Sequence, residues 1–183
     1  MNATKIITDR LTLRPARLKD LESCAEMLGD YEVAKMLTRV SHPYDMQVGR
    51  DFLGAAERAW RDWHVSDELL FHIDLDDRMI GGVSLRKLRE TPRIGYWLGQ
   101  RFWGRGYMSE AVHAVIAWLF ENTSHNAIKS EAMDENPASL RVMQKMGFRV
   151  VGHVECHSLA RGCTMPATHT HLHRTEFTGA LLN

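Results

Sequence analysis

Phe102-Trp103-Gly104-Arg105-Gly106-Tyr107-Met108-Ser109-Glu110-Ala111 is the most informative segment of this sequence. Residues 94–99 before it are typical of a strand, and residues 108–121 after it are typical of a helix. A glycine loop between a strand and a helix leaves free backbone N–H groups at the helix N-terminus, where a phosphate group can bind. The segment therefore predicts an anion-binding site, and the rest of the sequence indicates which anion binds there.

The composition predicts a single domain that spans residues 1–183, because this length supports one hydrophobic core and would crowd two. The sequence has 23 Lys and Arg against 23 Asp and Glu, so its formal net charge is zero. Proteins that bind nucleic acids non-specifically usually carry a basic excess, and we therefore expect no nucleic-acid partner. No apolar run approaches the roughly 20 residues that span a bilayer, and the N-terminus lacks a secretory hydrophobic segment, so we expect no membrane partner.

The cysteines indicate the compartment. Cys24, Cys156 and Cys163 are odd in number and show no Cys-x-x-Cys spacing. We interpret them as reduced thiols of a cytoplasmic protein, buried or at the surface, rather than as nucleophiles, because none has an activating sequence context.

Hydrophobic patterning predicts an α+β domain without repeats or linkers. Alternating patterns predict strands at residues 11–14, 70–75, 79–88, 94–99, 127–133, 148–155 and 165–177. Helical spacing predicts two short helices within residues 18–38 and longer helices at residues 45–63, 108–121 and 137–146.

The position of the glycine loop argues against two common nucleotide-binding motifs. A Walker loop would need Gly-Lys-Ser/Thr after four spacer residues, and the sequence lacks it. A Rossmann fingerprint would follow the first strand of repeated βαβ units, whereas this loop lies past mid-chain and follows an antiparallel hairpin pattern.

A second helix start, Asn136-Pro137-Ala138-Ser139, follows the loop by one helix and one strand. Together with the surrounding segments, it resembles the GNAT superfamily of acetyl-CoA-dependent N-acetyltransferases, and more closely the RimJ/RimL-like branch that acetylates the N-termini of ribosomal proteins. The matching segments span nearly the whole chain in family order: Arg10-Leu11-Thr12-Leu13-Arg14, Ile94-Gly95-Tyr96-Trp97-Leu98, Trp103-Gly104-Arg105-Gly106-Tyr107, Glu110-Ala111, Asn136-Pro137-Ala138-Ser139 and Lys145-Met146-Gly147-Phe148.

The resemblance implies a twisted, mostly antiparallel sheet of about seven strands, flanked by helices, whose fourth and fifth strands splay apart to admit acetyl-CoA. The pyrophosphate would bind the glycine loop, and the pantetheine arm would pair with the preceding strand. The implied cofactor-binding residues are Trp97, Leu98, Gly99, Trp103, Gly104, Arg105, Gly106, Tyr107, Met108, Ser109, Asn136 and Lys145.

The register of the family motif, Gln/Arg-x-x-Gly-x-Gly/Ala, has two readings in this sequence. Residues 101–106 match it literally, whereas the helix that follows favours a start at Trp103, which places Met108 at a small-residue position. Both registers keep the backbone donors, so both predict coenzyme A binding.

The implied reaction is direct attack of a free amine on the thioester, which needs an acid for the leaving thiolate. Many family members use a Tyr seven residues after the Asn as this acid, and here that position is Met143. The RimJ/RimL-like branch uses the serine three residues after the Asn, which is Ser139. The alternative for Ser139 is a purely structural role in helix capping.

The general base stays open at the level of the sequence. The branch places a carboxylate where this sequence has Ser158, which cannot act as a base. Glu155 and His157, which share one face of a predicted strand, and Glu131 on an earlier strand are the candidates. A chain of water molecules, or a merely structural role for each of these side chains, is the alternative.

Two further groups have a functional and a structural interpretation. His169, His171 and His173 share a strand face and could bind zinc, but no acidic or Cys ligand has a helpful spacing, so we favour a polar sheet face and expect no metal. Trp60, Trp63 and His64 either border the acceptor groove or pack in the core.

The sequence thus predicts an N-acetyltransferase that binds acetyl-CoA and an amine acceptor. The acceptor is a protein N-terminus or, alternatively, a small amine, an amino acid or an antibiotic. A non-catalytic acyl-CoA sensor is the alternative from another class, since Met143 and Ser158 replace two catalytic side chains. A homodimer is compatible with this fold.

Overall fold

The computed structural model of this chain describes residues 4–179. These residues form one eight-stranded sheet with the order β1-β2-β3-β4-β5-β6-β8-β7. The strands are β1 (Ile6–Ile7), β2 (Thr12–Pro15), β3 (Glu68–Leu75), β4 (Arg78–Arg86), β5 (Arg93–Leu98), β6 (Ala127–Met133), β7 (Arg149–Ser158) and β8 (Cys163–His173). The expected sheet is confirmed, with the two-residue β1 as one strand more than the pattern predicted.

Helices cover both faces of the sheet. The α-helices are α1 (Leu21–Leu28), α2 (Tyr31–Ala34), α3 (Met46–Ala59), α4 (Tyr107–Asn122) and α5 (Pro137–Lys145). Short 3-10 helices lie at Leu18–Asp20, Trp60–Val65, Gln100–Phe102 and Arg174–Glu176. One buried cluster packs the sheet against α4 and α5, and a second packs it against α1, α2 and α3.

The feature that positions the site is the gap between β5 and β6. All other strand pairs of the described sheet are antiparallel, whereas β5 and β6 are parallel and share a single register pair, Arg93 with Lys129. Beyond this point the carboxyl ends of the two strands diverge. Ligands of sheets with parallel strands bind at the carboxyl ends of those strands, so the gap is where a ligand is expected.

Three predicted boundaries differ from the structure. The third helix was expected to reach residue 63, but α3 ends at Ala59 and a 3-10 helix continues, in which Asp62 leaves the helical region at φ −127° and ψ 52°. The last strand ends at His173 instead of residue 177, because a 3-10 helix follows it. The hairpin partner β7 extends to Ser158, since its pairing with β8 continues to the pair Ser158–Cys163.

A buried ionic network joins β2 and β3 to the start of α1. The guanidinium of Arg14 pairs with Asp20 at 2.8 Å and with Asp74 at 2.6 Å. Nδ1 of His72 lies 2.8 Å from the same Asp20 carboxylate, and Nε2 of His72 lies 3.8 Å from Sγ of Cys24. Burial raises the pKa of the Cys24 thiol to about 12, so Cys24 stays a protonated thiol inside the core.

Candidate active site

A cleft of about 560 Å³ opens where β5 and β6 diverge. Tyr96 and Leu98 of β5 pack with the cluster beneath α4, whereas Trp97 packs with the cluster beneath α1, and all three line the cleft. Because successive side chains of a strand point to opposite faces, the cleft passes through the sheet. One opening, the α4 mouth, lies beside α4 and α5, and the other, the α2 mouth, lies beside residues 33–38.

The glycine loop, residues 103–106, forms one wall of the α4 mouth. Gly104 and Gly106 adopt left-handed φ values of 74° and 78°, which L-residues with a side chain rarely adopt. A Cβ on Gly104 would find no atom within 4 Å, so open space lies above this glycine. α4 begins directly after Gly106, and the free N–H groups of its first turn face the same region. This geometry fits a bound phosphate group.

The N-terminal segment of the chain anchors the glycine loop. Arg10 donates two hydrogen bonds. Its Nη1 group donates to the carbonyl oxygen of Arg105 at 2.9 Å, and its Nε group donates to the Glu110 carboxylate at 2.7 Å. The hydroxyl of Thr8 donates to the same carboxylate at 2.6 Å. Burial alone would raise the pKa of Glu110, but the hydrogen bonds from Thr8 and Arg10 lower it below its usual range. Glu110 therefore stays ionised and holds the loop in place.

The N-terminus of α5 forms the facing wall of the α4 mouth. Oδ1 of Asn136 accepts the backbone N–H of Ser139 at 3.1 Å, which confirms the predicted N-cap. The Ser139 hydroxyl does not take part in this cap. It lies 2.9 Å from the hydroxyl oxygen of Tyr96, which also lies 3.1 Å from the Ser139 carbonyl oxygen. When Tyr96 donates to this carbonyl group, the Ser139 hydroxyl donates to Tyr96.

Met143 occupies the position seven residues after Asn136. It is 2% exposed and its sulfur accepts a hydrogen bond from Thr170 at 3.1 Å. Met143 is therefore part of the core beneath α5 and offers no proton at the cleft. Tyr96 on β5 instead brings a phenolic hydroxyl to the first turn of α5.

The comparisons with known proteins identify the family. The model of the acetyltransferase (GNAT) domain matches residues 10–149. The chain belongs to the GNAT acetyltransferase family. This confirms the resemblance seen in the sequence, and it identifies the chain as an N-acetyltransferase.

Relatives of this GNAT protein include ribosomal-protein acetyltransferases. An uncharacterized N-acetyltransferase p20 of Bacillus licheniformis is 29% identical over 182 residues, which cover 95% of this chain and 98% of that protein. The ribosomal-protein-serine acetyltransferase of Escherichia coli (strain K12) is 30% identical over 86 residues, which cover 45% of this chain and 48% of that protein. The solved structure of RimL, a ribosomal L7/L12 alpha-N-protein acetyltransferase in complex with coenzyme A, shares the fold with a TM-score of 0.79 at 17% identity, over 93% of this chain and 98% of that one.

Most of the predicted cofactor-binding residues of this GNAT protein line the cleft. They are Trp97, Leu98, Trp103, Gly104, Gly106, Tyr107, Met108, Ser109, Asn136 and Lys145. Gly99 and Arg105 do not line it. The side chain of Arg105 is exposed, and its carbonyl group is held by Arg10.

The backbone edge that faces the gap differs from the predicted one. The Gly99 N–H group donates to Ile80 of β4 at 3.0 Å, on the side away from β6. Neighbouring residues of a strand direct their backbone groups to opposite edges, so Trp97 shares the edge of Gly99. Tyr96 and Leu98 therefore face the gap, where the Leu98 carbonyl oxygen accepts the indole N–H of Trp103 at 2.7 Å. A pantetheine arm could pair with Tyr96 and Leu98 rather than with Trp97 and Gly99.

Of the three candidate bases, the structure brings only Glu131 to the cleft. Glu131 lines the α2 mouth, and its Oε1 atom lies 2.7 Å from Nη1 of Arg93 and 2.9 Å from Nδ1 of His169. Glu155 and His157 are exposed and do not line the cleft. Cys156 between them does, because residues of β7 alternate between faces and this places Glu155 and His157 on the opposite side.

Cys156 lines the cleft, whereas Ser158 lies outside the lining and supports it from behind. Ser158 is buried, and its hydroxyl donates to the carbonyl oxygen of Leu37 at 3.3 Å, which fixes the segment after α2. Burial, followed by the nearby carboxylates of Glu131 and Asp134, raises the pKa of the Cys156 thiol. Cys156 is therefore a neutral thiol at the cleft wall.

The histidine and tryptophan groups take structural positions. His169 contacts Glu131, and the rings of His171 and His173 lie 4.4 Å apart. Within residues 4–179, no group of three or more His, Cys, Asp or Glu side chains is arranged to hold a metal ion. Trp60 and Trp63 pack against the ring of Trp118, with centroids 5.8 Å and 5.1 Å apart, and neither lines the cleft.

Among the cleft-lining residues to which the sequence assigned no role are Tyr96, Arg86, Arg93 and Arg141. Tyr96 belongs to the family-matching segment Ile94-Gly95-Tyr96-Trp97-Leu98, and this match could have indicated a role at the site. Arg141 precedes Lys145 by one helical turn, a spacing that places both cations on one face of α5. Arg86 and Arg93 reach the cleft through sheet pairing, which the sequence does not display.

Replacing Gly104 with Ala should weaken coenzyme A binding about tenfold, because the new methyl group would stand where the phosphate binds. The left-handed φ should also destabilise the fold by about 1–2 kcal/mol. Gly162→Ala is the matched control, since Gly162 has a φ of 65°, open space around it and a position outside the cleft. Calorimetric titration with coenzyme A checks the difference, and equal affinities of the two variants would contradict a phosphate site at Gly104.

Two expectations concern the molecule beyond the cleft. None of the helices within residues 4–179 is both long enough and apolar enough to cross a bilayer. The homodimer stays a prediction.

Proposed function

We propose that this GNAT enzyme transfers the acetyl group of acetyl-CoA to the free amine at the N-terminus of a protein. The observation that carries the proposal is the cleft through the sheet, with a phosphate-binding geometry at one mouth and charged side chains at the other. Donor and acceptor can enter from opposite faces and meet between β5 and β6. The ribosomal-protein-serine acetyltransferase among the relatives supports a protein acceptor.

The α4 mouth holds the donor in this proposal. The backbone N–H groups of the glycine loop and of the first turn of α4 bind the pyrophosphate, aided by the helix dipole. Arg141 and Lys145 lie along the same cleft and add positive charge. Acetyl-CoA supplies an activated thioester, and the enzyme gains most of its rate advantage by holding this thioester against the amine.

Ser139 and Tyr96 form the proton donor for the leaving thiolate. Burial raises the pKa of the Tyr96 phenol far above its usual value, although the hydrogen bond from Ser139 opposes this rise, so Tyr96 stays protonated at neutral pH. As the amine attacks the carbonyl carbon and the C–S bond breaks, the Ser139 hydroxyl gives its proton to the sulfur and takes the phenolic proton of Tyr96. The proton that Glu131 removed from the ammonium group is released to solvent, and Tyr96 takes up one proton from solvent before the next turnover. The pair thus replaces the tyrosine that many relatives carry at the position of Met143.

Glu131 takes a proton from the ammonium group of the acceptor, which leaves the free amine that attacks the thioester. Its Oε1 atom is occupied by Arg93 and His169, whereas Oε2 has no hydrogen bond within residues 4–179 and belongs to a cleft-lining side chain. A water molecule can connect Oε2 to the amine where the two do not touch. His169 and Arg93 fix the orientation of the carboxylate through its Oε1 atom.

The proposal places the enzyme in the cytoplasm. Cys24, Cys156 and Cys163 are all free thiols, as is usual in a reducing compartment.

The test incubates the protein with acetyl-CoA and either short peptides with free N-termini or small amines, and measures the release of free thiol. We expect turnover with peptides, and a loss of kcat of about 100-fold in Glu131→Gln, because the amide cannot accept the proton. Glu155→Gln is the matched control and should keep the wild-type rate. Turnover with small amines but not with peptides would contradict the protein acceptor and indicate a small amine as the substrate.

Tight binding of coenzyme A without turnover on any amine would contradict the enzymatic proposal. That result would support the acyl-CoA sensor instead. A full rate in Glu131→Gln would contradict only the role of Glu131 as the base.

A further inference from the structure

A row of charged side chains crosses the sheet at the α2 mouth. Arg86 on β4 lies beside Glu68 on β3 and Arg93 on β5 in the strand register. Glu68 pairs with Arg39 at 2.7 Å, and Arg93 pairs with Glu131 at 2.7 Å. Both carboxylates of the row therefore already have a cation, and Arg86 stands between the two pairs.

Arg86 has no partner within residues 4–179. Its guanidinium makes neither an ion pair nor a hydrogen bond, and its Nε atom is buried without an acceptor. Burial, followed by repulsion from Arg39 and Arg93, lowers the pKa of the guanidinium from its usual value, and the carboxylates of Glu68 and Glu131 offset only part of this effect. An arginine nevertheless stays charged in proteins. Arg86 is half-buried, and a partly desolvated charge without a partner is favourably placed to bind an anionic group.

The direction of the Arg86 side chain points to the cleft. Its Nη2 atom lies 3.6 Å from the place where a Cβ on Gly95 would stand. The absence of a side chain on Gly95 thus leaves room for the guanidinium over β5, and both residues line the cleft. The unpaired charge therefore faces the space that the acceptor enters.

We propose that Arg86 binds an anionic group, a carboxylate or a phosphate, that the amine acceptor carries close to its amine. The inference rests on the proposed transfer to an N-terminal amine and adds that the preferred peptides have an acidic residue next to the N-terminus. A guanidinium matches either oxyanion with two parallel N–H donors. Arg39 and Arg93 are neutralised by their own carboxylates, so Arg86 is the residue that selects the anion.

The test measures the binding of three peptides to the enzyme saturated with coenzyme A. The peptides begin with Ser and differ only at the second residue, which is Asp, phosphoserine or Asn. We expect the two anionic peptides to bind about tenfold more tightly than the Asn peptide, as hydrogen bonds to charged groups do. Arg86→Gln should abolish this preference, and Arg86→Lys should retain part of it.

Arg78→Gln is the matched control, because Arg78 lies at the other end of β4, is exposed and does not line the cleft. It should keep the full preference. The ratio between the phosphoserine and the Asp peptide identifies the oxyanion that the site favours.

Equal binding of the three peptides to the wild-type enzyme, or an unchanged preference in both Arg86 variants, would overturn the inference. Acetylation of the Asn peptide by the wild-type enzyme would then leave the proposed function intact. Selective binding of anionic peptides without acetylation of any peptide would show the reverse: an anion site at Arg86, and no transfer to N-terminal amines.

Discussion

Ser139→Ala should lower kcat about 100-fold, because the leaving thiolate loses its proton donor. The KM for acetyl-CoA should change little, since the donor is held by the backbone of the glycine loop and by α4. The fold should be preserved, because Asn136 caps α5 through the backbone N–H of Ser139, which the alanine keeps. Steady-state kinetics with varied acetyl-CoA checks both parameters.

Tyr96→Phe separates the two halves of the proton donor. It keeps the Ser139 hydroxyl and removes only the group 2.9 Å away. A smaller loss in Tyr96→Phe than in Ser139→Ala would agree with Ser139 as the group that touches sulfur. Ser66→Ala, which removes a bonded hydroxyl outside the cleft, serves as the control. An unchanged kcat in Ser139→Ala would leave Ser139 with a structural role alone.

Asp20→Ala should destabilise the protein by about 3–5 kcal/mol, the usual effect of removing one partner from a buried ion pair. The substitution leaves one side of the Arg14 guanidinium and Nδ1 of His72 without an acceptor inside the core. Urea unfolding at pH 7 measures the change in the free energy of unfolding. Glu26→Ala is the control, because the Glu26–Arg101 pair is exposed by 63% and 60% and should contribute at most about 1 kcal/mol.

The contribution of Asp20 to the free energy of unfolding should decrease in acidic solution. Burial alone would raise the pKa of Asp20, but the hydrogen bonds from His72 and Arg14 hold it well below its usual range. A depressed carboxyl pKa stabilises the fold above the unfolded-state pKa of about 3.9, and this contribution is lost as the pH falls below it. The difference between wild type and Asp20→Ala should therefore be constant from neutral pH to about pH 5 and shrink in more acidic solution. A constant difference down to pH 3 would contradict this account.

The donor side of the cleft was predictable from the sequence because its signals are local. The positive φ values of Gly104 and Gly106 and the cap at Asn136 arise from residues a few positions apart. The hydrophobic periodicity of α4 likewise reported the helix that follows the loop. Such features depend on short-range geometry that residue type largely determines.

The candidate catalytic side chains were less predictable because their contacts join distant segments. Tyr96 meets Ser139 across 43 residues of sequence, and Glu131 meets His169 across 38. Whether a strand residue such as Glu155 faces the cleft or solvent depends on register, and a shift of one residue reverses the answer. From the sequence, Glu131 and Glu155 were both candidates for the general base. The sheet geometry distinguishes them, because only Glu131 lines the cleft.

The divergence of β5 and β6 has a kinetic consequence. In the proposed arrangement each substrate has its own entrance. Either product could then dissociate while the other one stays bound, and the geometry would impose no order of release. An inhibitor that links a coenzyme A analogue to an acceptor peptide would have to pass through the gap between β5 and β6, from one face of the sheet to the other. Such a compound would hold the two strands together from within and would leave only by disengaging one of its ends.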